Sequence, residues 1–93
     1  MNSYTSKKDS LGFLETIGFV NAVNAADTML KTADVELLSN KKTGSGFVSL
    51  VIKGDIGAVK AATDAGAASL KRSGHPVTTL IIQTPDSQLT KIL

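Results

Sequence analysis

The segment Ile56–Arg72, IGAVKAATDAGAASLKR, constrains this chain most. Alanine dominates it, and alanine is the strongest helix former. Its small side chains also let a helix lie close on a sheet. Asp55 precedes the segment as a candidate N-cap, and Gly74 follows it as a C-terminal stop. Gly57 and Gly66 each cost the helix about 1 kcal/mol against alanine, which points to close approach of another backbone at both positions. Phe47–Lys53 and Val77–Gln83 flank the helix and read as strands. In the first of these, Val48, Leu50 and Ile52 share one face, and Phe47, Ser49 and Val51 share the other.

The N-terminal half repeats the pattern. Leu11, Phe13, Leu14 and Thr16 suit a strand that ends near Ile17–Gly18. From Phe19 to Lys31, apolar residues at Phe19, Val23, Ala26 and Leu30 define one helix face. Lys31 lies in the last turn, where a cation suits the helix dipole. Val35–Lys42 reads as a further strand, joined to Phe47–Lys53 through Thr43-Gly44-Ser45-Gly46, a turn signal. Pro85 breaks the last strand, and Asp86 caps a short C-terminal helical turn through Ile92. The order βαββαβ predicts an α+β sandwich of ferredoxin-like topology. It has a four-stranded antiparallel sheet with two main helices on one face. The other face then needs water, a ligand or a partner subunit to cover it. Residues 1–10 are polar and aperiodic and read as a mobile tail, leaving residues 11–93 as a single domain.

Bulk properties exclude several functions. A chain of 93 residues is marginal as a lone domain, and with no cysteine it has neither disulfide staples nor thiolate ligands. The net charge of +2 includes Lys7 and Lys8 and no basic run inside the fold, so nucleic acid has no electrostatic footprint. No apolar run approaches the roughly 20 residues of a membrane span, and no h-region follows Lys7-Lys8. A soluble cytoplasmic protein is expected.

Chemistry-bearing residues are sparse. His75 is the only histidine and sits in a loop beside Pro76. A catalytic triad needs a nucleophile and an orienting acid with it, and a metal site usually needs several ligands. Asp55 and Asp64 fall on different faces of their helix, and Glu15 is a weaker candidate still. No catalytic, cofactor or metal residue is therefore assigned. Gly44-Ser45-Gly46 lacks the Lys-Ser/Thr ending of a phosphate loop and joins two strands. On spacing alone it reads as a hairpin turn, or as a loop whose backbone must approach something closely. Lys31 on the same grounds reads as an exposed charge that closes a helix.

Residues 11–93 resemble the bacterial microcompartment domain, the hexameric shell proteins of metabolosomes and carboxysomes. Gly54–Ala68, GDIGAVKAATDAGAA, is close to a family signature. Leu11-Gly12-Phe13-Leu14-Glu15-Thr16 matches the opening strand, Ala25-Ala26-Asp27 through Lys31 the first helix, and Lys42-Thr43-Gly44-Ser45-Gly46 the pore loop. The chain looks most like the propanediol- and ethanolamine-type shell proteins.

The resemblance implies a non-enzymatic homohexamer in the shell of a cytoplasmic microcompartment. It would tile with neighbouring hexamers and other shell proteins around encapsulated enzymes. Gly44, Ser45 and Gly46 would line a central pore for small polar metabolites. Lys31 would be the edge lysine between hexamers. Thr84 stands where the family usually has an arginine, and Ile17 where relatives often carry a polar or basic residue. The competing reading is a trimeric ferredoxin-like regulatory protein that binds a ligand. That protein would need a long mobile loop where this chain has a tight one.

Overall fold

A computed structural model of the chain describes residues 9–83. Its elements are β1 (Asp9–Ile17), α1 (Phe19–Thr32), β2 (Glu36–Lys42), β3 (Phe47–Asp55), α2 (Ile56–Arg72) and β4 (Val77–Gln83). The strands form one antiparallel sheet in the order β2-β3-β1-β4. The predicted α+β fold is therefore present. The expected C-terminal helical turn, Asp86 and Thr84 lie outside the described residues.

Strand parity explains the layering. Leu14 pairs with Leu50, Gly12 with Ile52 and Thr16 with Val48, and all six are buried. Leu14, Val48, Leu50 and Ile52 join Ala22, Ala25 and Met29 of α1 and Val59, Ala62 and Leu70 of α2 in the main core. Each large aliphatic side chain buried here contributes about 1.5–3 kcal/mol. The alternate residues face the other way. Leu11 and Val51 form a second, smaller cluster with Phe13, Leu38 and Ile82, while Leu80 beside it stays 57% exposed.

Three expectations need correction. First, β1 begins at Asp9, two residues earlier than the sequence pattern suggested. Asp9 and Ser10 pair with Asp55 and Gly54, and the Lys53 ammonium lies 3.6 Å from the Asp9 carboxylate. Second, the buried face of α1 is Ala22, Ala25, Ala26 and Met29, whereas Phe19, Val23 and Leu30 are 44–47% exposed. The helix turns its alanines to the sheet because small side chains allow close approach, and its bulkier apolar residues remain outside.

Third, the two glycines of α2 differ. A Cβ on Gly66 would stand 2.8 Å from Met29 Cγ and 3.1 Å from Leu14 Cδ1, so side chains rather than backbone crowd it. A Cβ on Gly57 would meet nothing within 4 Å. Asp55 does occupy the N-cap position of α2, but its carboxylate makes no capping hydrogen bond. The close backbone-to-helix packing occurs instead at Gly12 of β1. A Cβ there would lie 2.7 Å from Thr63 Oγ1 and 2.8 Å from Val59 Cγ1.

Candidate functional site

The β2–β3 connection, Thr43–Gly46, is short, exposed and firmly based. At its foot the Thr43 backbone N–H donates to the Phe47 carbonyl at 2.8 Å, and the Thr43 hydroxyl donates to the same oxygen at 3.3 Å. Gly46 adopts φ +84°, a conformation glycine reaches without a Cβ penalty. Its carbonyl accepts a 3.0 Å bond from the Gly18 N–H, which ties the loop to the turn between β1 and α1.

That turn is itself held. The Asn21 side-chain amide donates to the Ile17 carbonyl at 3.0 Å, and the Thr16 hydroxyl donates to the Pro76 carbonyl at 2.7 Å. The loop tip is different. Gly44 and Ser45 are exposed, and a Cβ on Gly44 would touch nothing within 4 Å. Nothing among the described residues requires a glycine at position 44.

Beside the loop, Lys42 Nζ sits 4.5 Å from the centroid of the Phe19 ring. A depression of about 220 Å³ opens between Phe19, Lys42, Thr43 and Phe47. This contact was not legible from sequence spacing, because it joins the first residue of α1 to the last of β2. The clues available were local: Gly18 at a strand–helix junction, and a lysine next to the loop.

The other singled-out residues are dispersed. Lys31 is exposed and pairs with Asp27 at 3.0 Å, one helical turn away. His75 is half-buried rather than fully solvated, with Nδ1 3.4 Å from the Asn21 amide nitrogen. Glu15 accepts a 3.2 Å bond from the Ser49 hydroxyl on the open sheet face. Asp64 is exposed. Among the described residues no three His, Asp or Glu side chains gather. His75 thus faces an amide, and the loop offers a hydroxyl and backbone polar groups. This arrangement can hydrogen-bond a passing solute but supplies no paired nucleophile and base.

The family described as "BMC domain" matches residues 10–85. The chain is 45% identical over 87 residues to the bacterial microcompartment shell protein PduA of Citrobacter freundii, covering 94% of each. It is 40% identical over 84 residues to the shell protein EutM of Escherichia coli (strain K12), covering 90% of this chain and 87% of EutM. A solved microcompartment protein from Desulfitobacterium hafniense DCB superposes with a TM-score of 0.72 at 32% identity. That match covers 82% of this chain and 41% of the other, so the chain spans about two fifths of that protein's length.

Proposed function

We propose, because this chain belongs to the BMC-domain family of bacterial microcompartment shell proteins, that six copies close a ring whose axis is lined by Gly44, Ser45 and Gly46. As a shell protein it is a structural component and not an enzyme. Its location is then the shell of a microcompartment in the bacterial cytoplasm. The trimeric regulatory alternative loses its ground with this assignment.

The observation that carries the pore reading is the contrast within the loop. Its base is fixed by the bonds to Phe47 and Gly18, while Gly44 and Ser45 are exposed and a Cβ on Gly44 would meet nothing within 4 Å among the described residues. A tip that is exposed yet anchored at its base suits close approach by symmetry copies, and glycine lets backbones converge without collision. Six Ser45 hydroxyls and nearby backbone groups would then select small polar solutes by size and hydrogen bonding. Partial exposure of Phe19, Val20, Val23 and Leu30 on α1 supports association, since apolar surface of that kind commonly marks a contact site.

In the wall, Lys31 and Thr84 would meet neighbouring hexamers. The exposure of Lys31 supports this for the lysine. Other shell proteins would complete the shell around enzymes.

Ser45→Leu tests the pore. It would bring six apolar side chains to one axis. Hexamers should persist in sedimentation while small polar substrates cross intact shells more slowly. Unchanged flux through a demonstrably occluded hexamer would refute the pore assignment.

A further inference from the structure

We infer that His75 is a proton-sensitive latch on the Thr43–Gly46 loop: protonation of its ring releases the Asn21 amide that steadies the loop's anchor. The latch lies within one chain, and only its effect on passage rests on the ring proposed above.

The anchor is a single peptide group. The Ile17 carbonyl and the Gly18 N–H belong to the same planar unit and point in opposite directions. The Gly18 N–H donates to the Gly46 carbonyl at 3.0 Å, and the Ile17 carbonyl accepts from the Asn21 side-chain amide at 3.0 Å. Bonds at the two ends of a peptide group polarise each other, so losing one weakens the other. The amide lies close over the turn, since a Cβ on Gly18 would stand 3.0 Å from Asn21 Nδ2.

His75 meets the same nitrogen, with Nδ1 3.4 Å from Asn21 Nδ2. A carbonyl oxygen only accepts, so Ile17 requires Asn21 to present its nitrogen rather than its oxygen. The second N–H of that nitrogen is left for His75. The network therefore assigns Nδ1 as the accepting nitrogen of a neutral ring that carries its proton on Nε2. The backbone around the ring is held as well. The His75 N–H donates to the Leu70 carbonyl at 2.9 Å, and the Pro76 carbonyl accepts from the buried Thr16 hydroxyl at 2.7 Å.

Protonation reverses the role of Nδ1. A charged imidazole donates from both nitrogens, so one N–H would face another. Either the Asn21 amide turns over and sets its oxygen against the Ile17 carbonyl, or the two side chains part. In both cases the Ile17 carbonyl loses its donor. The tether is thus complete while the ring is neutral and weakens as pH falls through the ring's titration. Histidine is the side chain that ordinarily changes charge between about pH 5 and 8, and His75 is the only one in the chain. The charges around it stay fixed over that range. Lys71 and Arg72 are exposed in the last turn of α2, and Lys42 lies over Phe19 at the start of α1. The first turn of α1 has no acidic residue, Val77 and Thr78 of β4 carry no charge, and Glu15 of β1 bonds Ser49 on the open sheet face. Among the described residues the ion pairs are Lys31–Asp27 and Lys53–Asp9, and neither involves His75.

The Gly18 amide, one of eight glycine signals in protein labelled with 15N-glycine, reads the latch by NMR. Its hydrogen-exchange protection, corrected for the intrinsic effect of pH, should fall about three-fold or more between about pH 7.5 and about pH 5.5. The fall should track the titration of the His75 ring protons, a comparison that needs no variant. His75→Gln keeps an acceptor for Asn21 and gains no charge, so its Gly18 protection should stay high throughout. Asn21→Ala should lower protection at both pH values and erase the step while His75 still titrates, whereas a merely structural Asn21 would leave the step in place. Sedimentation is run on every sample. A parent protein without the step, or a step that survives in His75→Gln or Asn21→Ala, overturns the latch. A monomer that shows the step upholds the latch and removes the ring.

Discussion

Gly66→Ala and Gly57→Ala make the same chemical change in the same helix and should move stability in opposite directions. The helix gains about 1 kcal/mol from either substitution, because alanine orders more readily than glycine. At Gly57 nothing within 4 Å opposes that gain, so the variant should be stabilised by up to about 1 kcal/mol. At Gly66 the new Cβ would stand 2.8 Å from Met29 Cγ, 3.1 Å from Leu14 Cδ1 and 3.2 Å from Met29 Sδ. Both neighbours are 1% exposed, so they have no vacant space to retreat into.

The closest atom is mid-chain in Met29, so swinging the methionine's end aside does not relieve the contact. Overpacking of this kind costs about 1–3 kcal/mol, and a crowded Cγ belongs near the upper end. Net destabilisation of about 1–2 kcal/mol should remain after the helix gain. For a domain of this size each kcal/mol moves Tm by about 4–8 °C. Thermal melts at matched protein concentration read the difference, since any assembly adds its own concentration-dependent stability. Shifts of the same sign for the two variants, or a Gly66→Ala protein as stable as the parent, would refute the packing argument.

Gly12→Ala should destabilise by about 1–3 kcal/mol in those melts, because Thr63 and Val59 are β-branched and cannot turn away from a Cβ placed under 3 Å from them. Thr63→Val should stabilise by about 1 kcal/mol, since the Thr63 hydroxyl is buried with no hydrogen-bond partner among the described residues and valine keeps its shape. Lys31→Ala should leave the melt within about 0.5 kcal/mol, because its exposed bridge to Asp27 is weak. The same change should reduce the sheets or tubes seen by electron microscopy, where each repeated contact multiplies. Thr84→Arg should increase them, because guanidinium offers a planar fork of donors that threonine lacks.

The elements were legible where one period dominated. Val48, Leu50 and Ile52 alternate cleanly, and β3 buries that face against the helices. The α1 face was not legible by the same rule. Phe19, Val23 and Leu30 keep helical spacing, yet Ala22, Ala25, Ala26 and Met29 are the buried set. Alanine carries little hydrophobic signal, and large apolar residues at the proper spacing describe a surface for burial without saying which molecule buries it.

Gly57 and Gly66 look alike in sequence because the difference lies in Met29 and Leu14, far along the chain. The loop's tether from Gly18 to Gly46 and the Lys42–Phe19 contact were hidden for the same reason. Gly44-Ser45-Gly46 itself stood out at once. Spacing left it open between a plain turn and a functional loop, and the resemblance and the family match gave it weight.

In the proposed ring the Ser45 residues of different subunits come together around one axis. The chain has no cysteine, so Ser45→Cys carries a single thiol per subunit. A short bis-maleimide applied to that protein measures whether neighbouring position-45 residues share an axis. In a ring the thiols are held at high effective concentration, so linking should stay fast and unchanged as the assembled protein is diluted. The particle should sediment as six chains of 9.7 kDa. A monomer in sedimentation, or linking that slows in proportion to dilution of a confirmed hexamer, would contradict the account.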